Sequence, residues 1–489
     1  MNPSKQSPDS VLAPPQRVIP IARAGQRSLI EAVVAGGFCI GCGACTAIDG
    51  RITIVSNQYG DLVAQIPPAA AGDPLQASRV CPFASERDES ALGASVFPQA
   101  SVDSPMAGRY LAAYKGYSVP YRRYGSSGGI GTHVLATLLE QQQIDTVLCV
   151  GPSAASLAEY QAVSGVAELL QCSTSFYFPI TLAQVLQTVR ARPGRYAVTG
   201  VPCFHKAIRL LKEHDPVLRE RIVLQVGLVC GQMKSAHYAD YMARRSGMPA
   251  SAELKQINFR RKEGTPRADD YNFVAQWQLP DGSSGQGQLA ASAIGFNWGM
   301  SYFKPKACDF CDDVYAECAD LVIMDAWLPG DVEDARGTSI VLARSAPMAA
   351  LLAQESANGR LALQPASHEQ VIVSQEGGLR HRRQGLRFRL AVAGLGGRWR
   401  PRKRVRGTLA VGLMVALEML FRMTLRQRSR QAYLRQRAAG DGLALFERAM
   451  HGPKLAYRVF SKGRRLIERY LPARAGRAPL QTDPDGAGR

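Results

Sequence analysis

The sequence contains no run of about 18 to 20 consecutive apolar residues, so we expect no segment to span a membrane as a helix. Residues 1–25 also lack the apolar core of a secretory signal and form a polar arm rich in proline and serine. Eleven cysteines without an export signal indicate a reducing compartment, because thiols stay free there. We therefore predict a cytoplasmic protein.

Acidic residues are scarce in the last part of the chain. From Arg380 onward there are 27 Lys and Arg against 6 Asp and Glu, a net charge of +21. The preceding residues carry 32 basic and 34 acidic side chains, so the net charge of +19 comes entirely from this tail. Few aromatic residues interleave with the arginines, which disfavours nucleic acid as a partner. An anionic membrane surface or an acidic protein suits the charge better.

Three cysteines, Cys39, Cys42 and Cys45, stand at a repeat of three residues, and Cys81 follows at a distance, before Pro82. Bacterial ferredoxins hold an iron–sulfur cluster with such a run, in which a further cysteine ligand precedes proline. The small residues between the cysteines leave room for inorganic sulfide. Zinc knuckles usually pair two CxxC units without a third cysteine, so zinc or a disulfide is the lesser alternative. We predict a [4Fe–4S] cluster on these four cysteines.

A second cysteine group consists of Cys308, Cys311 and Cys318, and needs a fourth ligand. Two strands, predicted to be buried and parallel, end in Cys203 and Cys230, which places both thiols at one edge of a sheet. We prefer Cys203, because it stands at a helix start, where the helix dipole stabilises a thiolate. The sequence predicts a second cluster on Cys203 and the three grouped cysteines, with zinc as the alternative.

A run of small residues, Ser126, Ser127, Gly128 and Gly129, precedes a predicted helix. Hydroxyl groups and glycines at a helix start favour anion binding, because backbone N–H groups and the helix dipole both face the loop. The run does not match the GxGxxG fingerprint. Taken alone, it fits a plain glycine-rich turn better than a ligand site.

Together and in this order, these motifs resemble those of the beta subunits of coenzyme F-420 hydrogenases and dehydrogenases, a family that includes 7-hydroxymethyl chlorophyll a reductase. The resemblance covers about residues 30–395. It implies FAD beside [4Fe–4S] clusters, with Ser126 to Gly129 as the flavin-contacting loop. Arg260 and Lys262 lie in a segment similar to the family's Phe-Arg-x-Lys, and their cations suit the diphosphate. A solvated strand end is the alternative for both.

Two segments depart from the family pattern. Where relatives have Gly-Ser-Lys-Tyr, residues 172–177 lack the lysine, and where they have Gly-Asp-x-Trp, residues 324–327 begin with methionine. The first change bears on the deazaflavin substrate more than on the flavin. It suits a homologue that does not use coenzyme F-420.

We predict an oxidoreductase in which electrons enter at one cluster, pass to the second and leave as hydride from the flavin. Its partner would be a ferredoxin or a partner subunit. One alternative is a non-catalytic iron–sulfur electron carrier docked to a membrane-associated partner. Another is a basic nucleic-acid-binding protein with structural zinc.

The predicted fold class is α/β, or α+β overall, ending in a basic helical tail. Within that tail, Leu409 to Phe421 is apolar except for Gly412 and Glu418, and basic residues stand on both sides. Such a helix is too short to span a bilayer and would lie at the inner face of the membrane, or would pack on the body with a solvated basic face. The predicted segments are a flexible arm (1–28), a ferredoxin-like 4Fe–4S module (29–90), a mixed α/β flavin and iron–sulfur domain (105–395), the basic helical tail (398–475) and a flexible end (476–489).

Overall fold

A computed structural model describes residues 29–67, 75–294, 298–397, 399–440 and 442–470. The arms predicted at 1–28 and 476–489 lie outside these residues. The strands are β1 (Thr53–Ser56), β2 (Leu62–Gln65), β3 (Val102–Ser104), β4 (Gly108–Tyr110), β5 (Ala112–Ser118), β6 (Thr146–Ser153), β7 (Leu157–Val163), β8 (Tyr196–Gly200), β9 (Ile222–Leu228), β10 (Glu253–Arg261), β11 (Asn272–Gln278), β12 (Ser284–Ala290), β13 (Leu321–Asp325), β14 (Ser339–Ala343) and β15 (Leu361–Pro365).

The helices surround these strands, and a 3-10 turn at Lys306–Phe310 precedes β13. The helices are α1 (Leu29–Ala35), α2 (Ala44–Ile48), α3 (Leu75–Arg79), α4 (Glu89–Val96), α5 (Ile130–Glu140), α6 (Val166–Gln171), α7 (Ala183–Ala191), α8 (Pro202–His214), α9 (Pro216–Arg221), α10 (Ala236–Arg245), α11 (Ala291–Ile294), α12 (Ala346–Ala357), α13 (His368–Ser374), α14 (Glu376–Arg382), α15 (Gln384–Gly394), α16 (Leu413–Ala439) and α17 (Ala444–Tyr470).

An eight-stranded mixed sheet lies at the centre, in the order β15-β5-β14-β13-β9-β8-β6-β7. Its strands β13, β9, β8 and β6 are parallel neighbours, and the flanking pairs are antiparallel. Ala197 and Val198 of β8 are both fully buried in different apolar clusters, because successive side chains point to opposite faces. The sheet is therefore covered on both faces, as expected for an α/β fold.

The predicted cysteine module contains the antiparallel hairpin of β1 and β2 with three short helices. It has a small apolar core that includes Ile30, Ile52 and Ala64. Phe38 joins the module to the rest of the chain, since its ring meets that of Phe310 edge-on at 5.0 Å. The module thus lies directly beside the turn that carries the second cysteine group.

A three-stranded sheet, β10-β11-β12, shares an apolar core with the two long C-terminal helices. Phe259 and Phe303 lie in this core together with Tyr433 of α16 and Phe446 of α17. The tail is helical, as predicted. Of the two placements that the sequence left open for α16, the structure shows a helix packed on the body.

Two arginines of α16 face inward, which the sequence did not indicate, whereas Arg428, Arg435 and Arg437 are exposed. Arg426 Nε lies 2.7 Å from Asp309 Oδ2, and Arg430 pairs with Asp61. The helix begins at Leu413, so residues 409–412 precede it. Within the described residues, no helix is both long and apolar enough to cross a bilayer.

Candidate functional site

The first cysteine set is brought together as predicted. Cys39, Cys42, Cys45 and Cys81 all line one cavity, whose other walls are mostly apolar. The backbone N–H groups of Gly41 and Ala64 donate to Cys39 Sγ, at 3.4 and 3.3 Å. Four converging thiols in an apolar setting with N–H donors on sulfur form the kind of environment that iron–sulfur clusters occupy.

Burial controls the protonation of these thiols. Burial, then Cys39, raises the pKa of Cys81 to about 11, and burial, then Cys39 and Cys81, raises that of Cys45 to about 12. Buried thiols close together resist ionisation unless a cation compensates their charge. Bound iron supplies that charge, so the donor set fits a metal cluster.

The loop from Cys39 to Cys45 requires glycine for its backbone conformation, in addition to the predicted room for sulfide. Gly41 and Gly43 have φ angles of 65° and 85°, which side-chain-bearing residues rarely adopt. A Cβ at Gly41 would lie 2.5 Å from Leu62 Cβ, and one at Gly43 would lie 2.5 Å from Thr181 Oγ1. The loop can therefore close against its neighbours only with glycine at both positions.

The second set was predicted as Cys203, Cys308, Cys311 and Cys318, with Cys230 as the alternative fourth ligand. Cys203 lies in the first turn of α8, Cys230 follows β9, and Cys308 and Cys311 lie at the 3-10 turn. Burial raises the pKa of Cys203, and the thiols of Cys311, Cys230 and Cys308 raise it further. The pKa of Cys203 thus responds to Cys230 as well as to Cys308 and Cys311, so both sheet-edge cysteines are candidate ligands.

Cys318, which the sequence grouped with Cys308 and Cys311, packs in the same buried cluster as Cys311, but its polar neighbours differ from those of the other thiols. It is fully buried, and its sulfur lies 4.0 Å from the backbone oxygen of Glu89. After burial, the groups that most raise its pKa are Asp313 and Glu89, not other thiols. The prediction of Cys318 as a ligand is thus not supported by its surroundings.

Arg382 is a functional candidate that the sequence reasoning missed. Its guanidinium is buried, contacts Cys311 Sγ, and donates to the backbone oxygens of Asp313 and Gly231, both at 2.9 Å. It also hydrogen-bonds Cys230, and it lowers the pKa of both thiols against the effect of burial. Buried arginine next to thiols offsets negative charge. The basic run at residues 380–383, which forms the end of α14, was the available signal.

The two cysteine sets are neighbours. Cys42 of the first set is among the thiols that raise the pKa of Cys203. Tyr160 lies near both, since burial raises its pKa and Cys203 and Cys42 add to the shift. Among the described residues, no three His, Cys, Asp or Glu side chains are close enough to hold a single metal ion.

A polar pocket of about 260 Å³ lies between the serine-glycine loop and the β10–β11 strands. Ser126 lines it from the loop, Asn258 from β10 and Gln276 from β11. Thr174 also lines it, and this residue belongs to the segment in which the family's lysine is missing. The structure thus brings together Ser126, Arg260 and Lys262, three of the predicted flavin residues, around one pocket.

The loop itself is fastened to the central sheet. Ser127 Oγ donates to the backbone oxygen of Thr338 at 2.9 Å, and Gly128 N–H donates to Ser339 Oγ at 2.9 Å. Gly129 caps α5 with a φ of 74°. A Cβ at Gly128 would lie 2.7 Å from Gly116 O, so a larger residue there would displace the loop itself.

The two predicted cations are largely engaged within the protein. Arg260 forms a double hydrogen bond with Asp325 at 2.8 and 3.0 Å, but its buried Nε has no hydrogen-bond partner among the described residues. Lys262 Nζ donates to three backbone oxygens, including that of Ser127 at 2.6 Å. Burial, then Arg260 and Arg122, lowers the pKa of Lys262 to about 8. Both residues therefore hold the pocket's shape through contacts within the protein.

A buried network of ion pairs lies next to the second cysteine set. Lys403 Nζ lies 3.3 Å from Asp312 Oδ1, and Arg404 lies 2.6 Å from Glu317 and 3.4 Å from Asp312. Burial alone would raise the pKa of Asp312, yet Lys403 and Arg404 hold it well below its usual range. The start of the predicted tail is therefore part of the site's support, not a separate charged segment.

Comparison with known proteins identifies related families. Residues 113–187 match the family described as the N-terminal part of the coenzyme F420 hydrogenase/dehydrogenase beta subunit, and residues 194–369 match the family described as its C terminus. One of the subunits of F(420)H(2) dehydrogenase from Methanosarcina mazei is 24% identical over an alignment of 220 residues that covers 43% of this chain and 57% of the relative. The match thus spans a little over half of that relative's length.

One solved structure is that of the F420-reducing nickel–iron hydrogenase complex from Methanosarcina barkeri. A chain of it aligns with a TM-score of 0.45 and 15% identity, covering 63% of this chain and 100% of that chain. The two family matches together span slightly more than half of the 489 residues. The chain therefore belongs to the family of coenzyme F420 hydrogenase/dehydrogenase beta subunits, which are components of oxidoreductases.

Proposed function

We propose that the protein is an iron–sulfur flavoprotein that exchanges electrons with a redox partner, either a soluble ferredoxin or a partner subunit. The observation that carries this proposal is the pair of adjacent four-cysteine sets, one in an apolar cavity and one around Arg382. When bound, [4Fe–4S] clusters and FAD would supply the electron-transfer chemistry. Family membership supports the same interpretation.

Two sets of four cysteines would bind the clusters. Cys39, Cys42, Cys45 and Cys81 would hold one cluster, and Cys203, Cys230, Cys308 and Cys311 would hold the other. Arg382 would offset the negative charge of the second thiolate set, which a low-dielectric interior makes costly. The polar pocket would take a flavin, with Ser126, Thr174 and Asn258 positioned to hydrogen-bond it. Arg260 Nε would donate to an acceptor atom of that ligand.

Anaerobic purification tests the proposal through the visible spectrum and the cofactor content. We expect flavin bands together with a broad brown shoulder, and about eight iron atoms per chain for two [4Fe–4S] clusters. Colour with iron but no flavin would instead support the non-catalytic electron carrier, docked to another protein. A colourless protein that contains zinc would overturn both.

Filling the pocket should expel flavin. Gln276 is exposed on β11 and lines the pocket, so we expect Gln276→Trp to lower the flavin content to a small fraction while iron is retained. Gln278→Trp is the matched control, because this residue is also exposed, lies on the same face of the same strand and does not line the pocket. Equal flavin in the two variants would place the flavin elsewhere.

A further inference from the structure

The hairpin of α16 and α17 exposes apolar side chains at its open end. Arg464 contacts Glu418, and the rings of Phe460 and Phe421 lie 5.1 Å apart, so the end of α17 lies beside the start of α16. Leu413 is 68% exposed there. Packing against the body does not account for this apolar surface.

Helix α17 has two distinct apolar faces. Its inner face buries Phe446, Met450 and Tyr457 in the shared core. Its outer face exposes Leu455, Val459 and Leu466, each more than half accessible. These three residues recur at helical spacing, which makes one continuous stripe. Single exposed apolar residues are common on proteins, but a stripe of this kind marks an interaction surface.

Cations lie along this stripe. Arg458, Lys462 and Arg465 are exposed on α17, and in the described part of the chain none of them forms an ion pair with an acidic side chain. In contrast, Arg426 and Arg430 of α16 pair with Asp309 and Asp61 of the body. The tail's positive charge that is free to attract a partner therefore includes the outer face of α17, which lies within the basic tail predicted at 398–475.

We propose that the outer hairpin face, formed by Leu413, Leu455, Val459 and Leu466 with Arg458, Lys462 and Arg465, docks on an anionic lipid bilayer. A bilayer presents acyl chains and anionic headgroups in one plane, which matches apolar side chains beside unpaired cations. The inward face of α17 is occupied by the protein core, so the helix lies on the surface without crossing it. This proposal is independent of the cofactors.

The test is co-sedimentation of the full-length, anaerobically purified protein with vesicles of phosphatidylcholine alone or mixed with phosphatidylglycerol. We expect binding to the mixed vesicles only, weakening as salt is raised, because salt screens surface charge. Arg458→Gln combined with Lys462→Gln should weaken partitioning roughly 30-fold, since each basic residue near such a surface contributes about fivefold. Val459→Gln combined with Leu466→Gln, at unchanged charge, should weaken it by about tenfold or more.

The matched control removes two exposed cations from other elements, with Arg192→Gln and Lys255→Gln combined. It lowers the net charge equally, and we expect its vesicle binding to stay within about twofold of the unmodified protein, because neither residue belongs to α16 or α17. If the control lost vesicle binding to the same extent, net charge alone would explain the attraction, and the assigned face would be wrong. Absence of binding at low salt, or equal binding to uncharged vesicles, would overturn the bilayer and leave an acidic protein as the occupant.

Discussion

Replacing Cys230 with alanine should cost the anaerobically purified protein about half of its iron and inorganic sulfide, because a [4Fe–4S] cluster needs its full set of thiolates. Cys230 shares the buried guanidinium of Arg382 with Cys311, and its thiol raises the pKa of Cys203 and Cys308. Removing it would leave three thiols for one cluster. Iron and sulfide quantification with the visible spectrum is the measurement.

Cys318→Ala is the control that distinguishes the ligand set inferred from the structure from the one predicted by cysteine spacing. Cys318 is buried like Cys230, so both variants remove a buried sulfur, but its surroundings are the carboxylates Asp313 and Glu89. We expect this variant to keep all its iron. Cys42→Ala should lose the other half, from the first set. Iron lost in Cys318→Ala and retained in Cys230→Ala would restore the ligand set that spacing alone suggested.

The reason for this difference is physical. The pair Cys308 and Cys311 lies within one local turn, and a short spacing predicts such proximity well. Between Cys311 and Cys318 the backbone bends, with Ala316 at a φ of 46°. Cys230 is far away in sequence, and long-range contacts bring its segment beside the turn: Cys230 N–H donates to Val314 O, and Met233 N–H donates to Cys308 Sγ, both at 3.3 Å. The spacing of cysteines along the chain cannot predict such a long-range contact.

Elements whose signal is local were predicted correctly. The buried strands at β8 and β9, their parallel order and the helix start at Cys203 follow from apolar runs and from proline at the first helical position. The convergence of the first cysteine set was also predicted. The pocket was predicted in part, because hydroxyl and glycine residues indicated the loop, whereas the β11 wall from Val274 to Gln276 had no motif.

The tail shows where charge counting fails. A run of arginines with few acids nearby in sequence is typical of a solvated segment. In the fold, however, Asp312 and Glu317 from about 90 residues earlier meet Arg404, and Asp309 meets Arg426. Net charge follows from the amino-acid composition alone, but the fold decides which of those charges form ion pairs. The predicted separation of the tail from the catalytic body therefore overlooked its partners.

Arg404→Met should destabilise the protein by about 3–5 kcal/mol, because breaking a buried ion pair leaves an uncompensated buried charge. Arg404 lies 2.6 Å from Glu317 and 3.4 Å from Asp312, and both carboxylates are almost fully buried. Arg402→Met is the matched control two residues away, since Arg402 meets Glu86 only at 3.7 Å with both side chains largely exposed. We expect that control to change the free energy of unfolding by less than about 0.5 kcal/mol. Denaturant midpoints of both variants, read with iron retention, check the difference.

Truncation after Gly397 should have a larger effect, because it removes α16, α17 and all their contacts with the body. It would remove Lys403 and Arg404 from Asp312, and Tyr433 and Phe446 from the aromatic core, exposing apolar surface and unpaired carboxylates together. We expect insoluble protein, or protein without cofactors, in contrast to a tail that serves docking alone. Deleting only the residues after Tyr470 is the control, because the contacts of α16 and α17 with the body stay in place. A soluble truncated protein with full iron would show that these buried pairs and rings are dispensable, and would return the tail to a docking role.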